Sequence, residues 1–424
     1  MEFSNFILRP GQEEVLSNLR GGKSVFACLP TGYGKSLCYE IPAHLWKWKT
    51  IVIAPLKALL DSQYQLMVER GVMAVIIHSG LSANERKKSM QTLESGEWEI
   101  LSISPELLEH WWKNKILEHL LRKHKVGLFV LDEVHCAVEW KKFRSSYLLI
   151  DGIIKEIIAQ KIPVLGLSAT LEAAAIMELK ERWPINFSLV QIPLGRSNLY
   201  LHVKACENRN HKLLILLFLL KNIQSPKAAI IYCASREETE LLASFLTSCG
   251  LPACVFHAGL PEIRKMERVQ QFLNGYLPIL CATTAFGMGV HYPFVEKVIH
   301  WGLPSGLTEY WQQAGRAGRS GDAAESILLW SRSDILSLRA LKVEEQGKIR
   351  AILRYLLAKK CRKSLLTEYF CIQDEQENCG NCDVCLKREL LPGKLFSEPV
   401  WWEGGAQYAE KNFLNLLGFG DGSA

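Results

Sequence analysis

The sequence lacks the long apolar run that a membrane-spanning helix requires. None of its apolar stretches approaches the ~20 residues needed to cross a bilayer. Its first residues, Met-Glu-Phe-Ser-Asn, do not resemble a secretory leader. It also lacks a strong excess of one charge, since 50 Lys and Arg against 44 Asp and Glu give a net charge of +6. We therefore expect an intracellular protein that is neither secreted nor membrane-bound, and whose mild basicity permits a polyanionic partner.

Regular disulfide spacing is absent from most of the chain. Most of the 13 cysteines stand singly in apolar runs, as Cys28, Cys233 and Cys281 do, which is typical of reduced thiols in a protein core. The 424 residues, 48% of them hydrophobic, suffice for two or three domains of ~150 residues each. No internal repeat of roughly 20–50 residues is evident.

Short apolar runs alternate with amphipathic segments, and the alternation restarts after Pro193-Leu194-Gly195. This rhythm predicts an α/β fold with two lobes, each a mostly parallel sheet covered by helices. We expect lobes at residues 1–195 and 196–342, a small helical cysteine-rich module at 343–390 and a weakly ordered tail at 391–424. The predicted strands are Val25–Leu29, Thr50–Ala54, Ala74–Ile77, Ile100–Ile103, Val126–Leu131, Val164–Leu167, Ala228–Tyr232, Ala253–Phe256, Ile279–Ala282, Val298–His300 and Ser326–Trp330.

A glycine-rich turn that ends in lysine and serine follows the first predicted strand. Glycines let backbone amides surround phosphate oxygens, and the N-terminus of the next helix adds a favourable dipole. Lys35 can reach the outer phosphates of a nucleoside triphosphate, and the Ser36 hydroxyl can bind Mg2+. Leu29 stands where the full phosphate-loop pattern has its first glycine, so an ordinary strand-to-helix turn is the alternative. The turn comprises Thr31, Gly32, Tyr33, Gly34, Lys35 and Ser36.

Two carboxylates end the apolar run Val126–Leu131. Asp132 at a strand end can hold the metal through water, and Glu133 can polarise the attacking water. A lone Asp-Glu pair is usually a solvated surface pair. Its position after a buried strand, downstream of the glycine-rich turn, favours nucleotide hydrolysis instead.

The second lobe carries Gln312, Arg316 and Arg319 in the stretch Gln312–Arg319. The spacing of the two arginines predicts that they share one face of a helix. An arginine delivered from a second lobe can neutralise the charge that develops as the terminal phosphate bond breaks. A solvated basic helix is the alternative.

Four cysteines near the C-terminus have the spacing of a metal site. Cys379, Cys382 and Cys385 are separated by two residues each, and Cys361 lies upstream on a predicted helix. Four thiolates suit a tetrahedral structural zinc site, with no open position for a substrate. Cys371 is a fifth thiol that could compete as a ligand.

Taken in order, these motifs resemble those of the RecQ family of DNA helicases over roughly residues 6–388. The resemblance implies two tandem RecA-like lobes with parallel sheets, followed by the four-cysteine zinc module. The motifs are Arg9-Pro10-Gly11-Gln12, Thr31–Ser36, Ala54-Pro55-Leu56, Ser104-Pro105-Glu106, Asp132–His135, Ser168-Ala169-Thr170, Ile231–Arg236, His257–Leu260, Ala285–Gly289 and Gln312–Arg319.

The resemblance also implies residue roles. It assigns adenine recognition to Arg9 and Gln12 and hydrolysis to Gln312, Arg316 and Arg319, with Arg319 as the arginine finger. It assigns coupling of hydrolysis to movement to His135, Ser168 and Thr170. It assigns DNA contacts to Ser235, Arg236, His257 and the aromatic-rich loop with Trp140, Phe143 and Arg144. Aromatic faces stack on bases at ~1–3 kcal/mol each, although Trp140 and Phe143 could instead be plain core aromatics.

The implied function is an ATP-dependent 3′-to-5′ DNA helicase and translocase with a role in DNA repair or recombination. It implies ATP, Mg2+ and structural Zn2+, single-stranded and forked or partly duplex DNA as partners, a monomer, and a nuclear or bacterial cytoplasmic location. The residues after Arg388 are too few for a winged-helix domain of ~100 residues, so we expect a short form with weaker duplex unwinding. The alternatives are an ATPase that remodels RNA or nucleoprotein complexes, and a nucleic-acid binding or annealing protein with a weakened motor.

Overall fold

The computed structural model describes residues 7–30, 32–139, 146–287, 292–338, 346–372 and 378–387. The chain divides into two compact units. The first comprises the described part of Met1–Gly195 with Phe370–Ile372, and the second the described parts of Arg196–Gly287, His291–Tyr369 and Gln373–Ala424. Within the described ranges, every helix is too short or too polar to cross a membrane.

The described part of the first unit contains one parallel sheet of seven strands. Its strands are β1 (Ser24–Cys28), β2 (Lys49–Ile53), β3 (Ala74–Ile77), β4 (Ile100–Ile103), β5 (Val126–Asp132), β6 (Val164–Ser168) and β7 (Phe187–Gln191). Its helices are α1 (Pro10–Arg20), α2 (Leu37–Leu45), α3 (Lys57–Glu69), α4 (Ala83–Ser95), α5 (Pro105–Lys113), α6 (Ile116–Lys123), α7 (Cys136–Glu139), α8 (Ser146–Ala159) and α9 (Ala173–Arg182). The strand order is β3-β4-β2-β5-β6-β1-β7.

Helices cover both faces of this sheet, which explains why its strands are continuous apolar runs. Phe26 on β1 stacks on Phe187 of β7 with 3.7 Å between ring centroids. Gly166 on β6 allows this packing, because a Cβ there would lie 2.6 Å from the Phe26 ring. The parallel arrangement brings the carboxyl ends of β1, β5 and β6 to one edge, where the predicted phosphate turn and carboxylate pair follow.

The described part of the second unit contains a parallel sheet of six strands. These are β8 (Leu199–Ala205), β9 (Ala228–Tyr232), β10 (Ala253–Phe256), β11 (Ile279–Ala282), β12 (Val295–His300) and β13 (Ala324–Trp330). The helices are α10 (Arg209–Leu220), α11 (Arg236–Ser248), α12 (Glu262–Leu273), α13 (Leu307–Ala314), α14 (Arg332–Leu338), α15 (Gln346–Leu357), α16 (Arg362–Tyr369) and α17 (Asp383–Leu386). The strand order is β10-β11-β9-β12-β13-β8.

All eleven predicted strands coincide with observed strands, and two observed strands were not predicted. β7 was missed because two prolines, Pro184 and Pro193, flank its short run. β8 was missed because it begins four residues after Pro193-Leu194-Gly195, where the predicted alternation is interrupted. It pairs in parallel with β13 from Leu199 to Ala205, so it is an integral edge strand of the second sheet.

Both units contain the same segment of elements at the same spacing. Residues 49–103 and 228–282 are related by a constant offset of 179 residues, from Lys49 to Ala228 and from Ile103 to Ala282. β2, α3, β3, α4 and β4 begin at positions equivalent to β9, α11, β10, α12 and β11. Ten of the 55 aligned positions are identical, so sequence identity alone conceals this duplication.

The C-terminal helices of the described chain pack on the edge strand β8 of the second unit. The amide of Leu201 donates to the carbonyl of Asn381 at 2.9 Å, and the amide of Val203 donates to the Asp383 carboxylate at 3.2 Å. Arg362 at the start of α16 forms a two-point ion pair with Asp383, at 2.9 and 3.0 Å. The cysteine-bearing segment is therefore anchored to the second sheet by backbone and charge contacts.

Candidate functional site

The glycine-rich turn connects β1 to α2 at the carboxyl edge of the first sheet. Gly32 and Gly34 have φ of +80° and +81°, a region that side chains rarely adopt. A Cβ at Gly34 would also lie 2.8 Å from the amide nitrogen of Gln12. Ser36 makes no capping hydrogen bond to α2, so its hydroxyl does not serve as a helix cap. The turn thus has the backbone curvature and helix N-terminus that suit a phosphate group.

Gln12 on α1 fixes the backbone of this turn by hydrogen bonds. Its buried side-chain amide donates to the carbonyls of Tyr33 and Gly34 at 2.8 and 2.9 Å. Its carbonyl oxygen accepts from the backbone amide of Arg9 at 2.9 Å. The Arg9 guanidinium lies over the Tyr33 ring, 4.8 Å from the centroid. The two residues predicted to recognise adenine therefore lie together beside the turn.

The carboxylate pair at the end of β5 reaches the same turn. The Lys35 ammonium nitrogen lies 3.1 Å from a Glu133 oxygen. Asp132 is buried and accepts from Gln63 at 2.7 Å and from the amide of Glu133 at 3.0 Å. Burial, reinforced by the Glu133 charge, raises the pKa of Asp132 above its usual range. Lysine and the two carboxylates are thus gathered in the first unit, as predicted, with Gln63 as an additional partner.

A hydrogen-bond network runs from Glu133 to the end of β6. The Nδ1 atom of His135 lies 3.3 Å from Glu133 and 2.9 Å from the Ser168 hydroxyl oxygen. That hydroxyl donates to the carbonyl of Thr170 at 2.5 Å. Glu133 has a φ of +54°, a left-handed conformation that costs about 1–3 kcal/mol for a non-glycine residue. The three residues predicted to couple hydrolysis to movement are therefore contiguous with the carboxylate pair.

The two arginines of the second unit do not share a helical face. α13 ends at Ala314, and the residues from Gly315 to Ser320 form turns, so that expectation is wrong. Gly318 has a φ of +61°, which ends any helical continuation. Arg316 is buried at 8% exposure, and Arg319 is partly buried. Gln312 precedes them as a partly exposed residue of α13.

Burial also sets the electrostatics of this turn. It lowers the pKa of Arg319 to about 9, and the positive charges of Arg316 and Arg196 act in the same direction. The Nε atom of Arg316 is buried with no hydrogen-bond partner among the described residues. A cluster of buried and partly buried guanidinium groups favours an anionic ligand such as a phosphate.

Three of the residues predicted to contact DNA, Ser235, Arg236 and His257, lie in two neighbouring loops of the second unit. Ser235 caps α11 by accepting from the amide of Glu238 at 3.1 Å, and Arg236 is exposed at the first helical position. His257 is buried, and its Nε2 atom lies 2.9 Å from Glu240. Arg236 is thus exposed to solvent, whereas His257 is buried beneath the loop and contacts Glu240.

Arg236 packs against the loop that follows His257. A Cβ at Gly259 would lie 3.0 Å from an Arg236 guanidinium nitrogen, so glycine leaves room for that contact. We name Arg236, Glu240, His257 and Gly259 the His257 set.

The duplication reveals an equivalent set in the first unit that the motif search missed. Lys57, Asp61, His78 and Gly80 occupy the corresponding positions at the same offset, and we name them the His78 set. The Nε2 atom of His78 lies 2.9 Å from Asp61, and its Nδ1 atom accepts from the amide of Gly80 at 3.0 Å. Lys57 is exposed at the first position of α3. The His78 set is recognised only when the two units are aligned, because none of its residues belongs to a recognisable motif by itself.

Four cysteine sulfurs of the second unit converge. The sulfur atoms of Cys361, Cys379, Cys382 and Cys385 all lie within 4.8 Å of one another. A tetrahedral zinc with Zn–S bonds of about 2.3 Å would place them roughly 3.8 Å apart, so the set fits that metal. Cys371 is exposed and is not in this cluster.

Backbone amides support the sulfur cluster. The Cys382 sulfur accepts from the amides of Arg362 and Cys385, each at 3.4 Å, and the Cys379 sulfur accepts from Asn381 at 3.4 Å. A hydrogen bond from Cys379 lowers the pKa of Cys382 to about 5. A thiolate is thus favoured at neutral pH, and amide donors of this kind orient metal-binding thiolates.

Four predicted site residues lie outside the described residues. They are Thr31, Trp140, Phe143 and Arg144.

Three family models match successive parts of the chain. Residues 9–179 match the DEAD/DEAH box helicase model, residues 210–321 the helicase conserved C-terminal domain, and residues 333–386 the RecQ zinc-binding model. The last match spans all four cysteines of the cluster.

Curated relatives align along most of the chain. An ATP-dependent DNA helicase RecQ of Haemophilus influenzae is 31% identical, with 89% of this chain and 61% of the relative aligned. The RecQ-like DNA helicase blm-1 of Caenorhabditis elegans is 30% identical, with 89% and 40% aligned. A putative ATP-dependent RNA helicase of Acanthamoeba polyphaga mimivirus is 30% identical, with 90% and 70% aligned. The chain therefore spans less than two thirds of the length of the first two relatives.

Solved structures of helicases share the fold. The helicase Lhr of Mycobacterium smegmatis, bound to ssDNA and AMP-PNP, has a TM-score of 0.61 at 19% identity, covering 82% of this chain and 48% of Lhr. The DEAD-box helicase Mss116, bound to ssRNA and UDP-BeF, has a TM-score of 0.62 at 23% identity, covering 81% and 73%.

These likenesses confirm the predicted architecture of two parallel-sheet α/β lobes of the RecA-like helicase type with a cysteine module. With relatives that align along about nine tenths of its length and a zinc-binding segment of the RecQ type, this chain is a member of the RecQ helicase family.

Proposed function

We propose that this chain is an ATP-dependent DNA helicase that couples hydrolysis to movement along single-stranded DNA. The observation that carries the proposal is the convergence of Lys35, Asp132 and Glu133 beside a glycine turn at one edge of the first sheet. This arrangement provides a phosphate-binding cation, a metal ligand and a general base within one unit. The RecQ family membership of the chain supports DNA as the nucleic acid.

In the proposed reaction, Lys35 and the turn amides bind the phosphates of ATP, and Arg9 and Gln12 receive the adenine. Gln12 would exchange its contacts to the turn carbonyls for the base. Ser36 and Asp132 would hold Mg2+, which supplies charge neutralisation between the outer phosphates. Glu133 orients a water for attack on the terminal phosphorus and accepts its proton, while the bond to the bridging oxygen breaks and ADP leaves.

Gln312, Arg316 and Arg319 complete the proposed catalytic set. A buried guanidinium with an unpartnered Nε is suited to the charge that develops on the transferred phosphoryl group. Arg319 is assigned as the finger. The His135–Ser168–Thr170 network is the proposed route by which events at Glu133 reach the end of β6.

The proposed DNA contacts use both duplicated loop sets. Lys57 and Arg236 are exposed cations at the first positions of α3 and α11, where they can meet backbone phosphates. Ser235 and His257 belong to the second of these loops, and the loop with Trp140, Phe143 and Arg144 supplies base stacking in this proposal.

The remaining assignments complete the proposal. Movement is 3′ to 5′ on forked or partly duplex DNA, the active species is a monomer, and the role is DNA repair or recombination inside the cell. Zinc is the proposed occupant of the four-cysteine cluster and is structural, because four thiolates leave no open coordination position.

The decisive experiment compares ATP turnover with no nucleic acid, with single-stranded DNA and with single-stranded RNA of the same sequence. We expect DNA to stimulate turnover of the wild-type chain and Glu133→Gln to abolish it. Stimulation by RNA but not DNA would favour the RNA-remodelling alternative. Absence of turnover under every condition would favour the annealing alternative.

Direction and strand separation need a second assay. We expect ATP-dependent unwinding of a fork with a 3′ overhang, and little unwinding of the matched substrate with a 5′ overhang. Equal or reversed preference would refute the proposed polarity. Lys35→Ala serves as the control for nucleotide-independent strand melting.

A further inference from the structure

The turn that carries Arg316 and Arg319 is held by two side chains at the start of the second unit. Because α13 ends at Ala314, the carbonyls that follow it lack helical partners. Three of them accept instead from Arg196 and Asn198, which directly precede β8. Neither residue belongs to the motifs that carry the family resemblance.

Arg196 spans the turn around Arg316. One terminal guanidinium nitrogen donates to the carbonyl of Gly315 at 3.0 Å, and the other donates to the carbonyl of Ala317. Because these carbonyls lie on either side of Arg316, the guanidinium fixes the backbone that orients that side chain. Arg196 itself has a φ of +68°, a left-handed conformation that costs about 1–3 kcal/mol and that its hydrogen bonds help to maintain.

Asn198 holds the turn one residue before Arg319. Its side-chain amide donates to the carbonyls of Gly318 and Asp322 at 2.8 and 2.7 Å. A Cβ at Gly318 would lie 2.6 Å from the Asn198 amide nitrogen. The backbone carbonyl of Asn198 accepts from the amide of Ala324 at 2.9 Å. This bond extends the pairing of β8 with β13 by one residue and fixes the backbone of Asn198.

Each of the three guanidinium nitrogens of Arg196 already donates to the protein, which argues against Arg196 as a phosphate ligand. Both terminal nitrogens bind carbonyls, and Nε lies 3.4 Å from the Asn198 side-chain oxygen. The Nε atom of Arg316, in contrast, has no partner among the described residues and is buried. The arrangement separates a guanidinium whose three nitrogens hold the turn from one whose buried Nε makes no hydrogen bond within the described residues.

We propose that Arg196 and Asn198 are positioning residues for ATP hydrolysis, and that they act by holding the backbone from which Arg316 and Arg319 project. This inference rests on the proposed ATPase function. Misplacement of a catalytic group by about 1 Å can cost about 100-fold in rate. Loss of the turn contacts of Arg196 or Asn198 should therefore lower kcat. Nucleotide affinity should stay nearly unchanged, because the proposal assigns it mainly to the first unit.

The test measures DNA-stimulated ATP turnover by the full chain carrying Arg196→Ala, Arg196→Lys or Asn198→Ala. We expect Arg196→Ala and Asn198→Ala to lower kcat about tenfold or more, with KM for ATP within about twofold. Arg196→Lys should retain part of the rate, because one ammonium can still bind one carbonyl. Arg350→Ala, an exposed arginine of the same unit, is the matched control and should keep the wild-type rate.

A double-mutant cycle separates positioning from general stability. If Arg196 acts through Arg316 and Asn198 through Arg319, then adding Arg196→Ala to Arg316→Ala, or Asn198→Ala to Arg319→Ala, should lower kcat little further. Fully additive losses, or an unchanged kcat in the single variants, would overturn the inference. If Arg196→Ala does not fold, Asn198→Ala and Arg196→Lys decide the question by the same criteria. An inactive wild-type chain would instead refute the proposed function itself.

Discussion

The ammonium nitrogen of Lys35 lies 3.1 Å from a carboxylate oxygen of Glu133. This ion pair joins the residue that the proposal assigns to the phosphates with the residue that it assigns to the attacking water. Both side chains are largely buried, at 15% and 17% exposure, so solvent screens the pair less than a surface pair. A phosphate that binds Lys35 must therefore compete with Glu133 for the ammonium group.

This competition predicts opposite effects of Glu133→Gln on binding and on turnover. Removing the carboxylate frees Lys35 and removes a negative charge next to the phosphates, so nucleotide affinity should rise by up to about fivefold, equivalent to about 1 kcal/mol. Turnover should fall to background because the general base is gone. Titration with a fluorescent ATP analogue measures the first effect and phosphate release the second.

Lys35→Ala provides the contrast for that measurement. It should lose most nucleotide binding, because Lys35 is the side-chain cation of the first unit that the proposal assigns to the phosphates. Weaker binding by Glu133→Gln than by the wild type would contradict the competition between carboxylate and phosphate.

Residue patterns located most strands, because buried parallel strands are continuous apolar runs. They also singled out Lys35, Asp132 and Glu133, the proposed catalytic groups, which the structure brings together at the ends of those strands. The patterns failed where conformation depends on distant contacts. The spacing of Arg316 and Arg319 fits a helix, but Gly318 between them adopts a left-handed conformation, and its lack of a Cβ leaves room for the Asn198 side chain.

The loop histidines show the same limit for the candidate site. Sequence gives the identity of His257 but not its burial or its contact with Glu240, since that partner lies on a different element. The equivalent His78 set remained hidden because identity between the two duplicated segments is low, although their elements begin at equivalent positions.

The cysteine cluster predicts one bound zinc per chain. It also predicts that zinc binding depends on Cys382 but not on Cys371. Cys382→Ser should abolish stoichiometric zinc and lower the thermal unfolding temperature of the second unit, because that sulfur is buried and accepts two amide hydrogen bonds. Cys371→Ser is the matched control, since Cys371 is exposed and outside the cluster. Metal analysis after gel filtration measures both, and zinc loss in the Cys371 variant alone would refute the ligand assignment.

His300 at the end of β12 predicts a loss of stability in acid. Its ring packs between Tyr232 and Tyr310, with centroids 5.7 and 4.9 Å away, and burial lowers its pKa from 6.5 to about 3. The folded state therefore holds this imidazole neutral, whereas the unfolded chain protonates it below about pH 6.5. The contribution is fully present above pH 6.5 and is lost as the pH falls toward 3.

Replacing the ring tests this linkage. Between pH 6 and pH 4.5, the unfolding free energy of the second unit in His300→Phe should fall less steeply than in the wild type, by about 1.4 kcal/mol per pH unit for one proton. Urea unfolding followed at pH 7, 6, 5 and 4.5 provides the comparison, with the pH 7 values as reference. Parallel slopes for the two proteins would show that His300 does not bind the extra proton.

The exposed cations of the two duplicated loop sets predict a matched effect on DNA affinity. Lys57 and Arg236 each occupy the first position of an equivalent helix, where a side chain can neutralise one backbone phosphate. For single-stranded DNA, each lost phosphate contact should reduce the slope of log affinity against log salt by about 0.7. Lys57→Ala and Arg236→Ala should therefore each weaken binding at low salt by a similar factor, regardless of base sequence.

Fluorescence anisotropy of a labelled oligonucleotide between 50 and 200 mM salt, roughly the range over which counterion release dominates, measures these slopes. Arg350→Ala controls for the loss of any exposed arginine, and the variant lacking both cations should show the sum of the two slope changes, because the residues belong to separate units. A wild-type slope in Lys57→Ala with a reduced slope in Arg236→Ala would mean that the duplication preserved the loop architecture but not its phosphate contact.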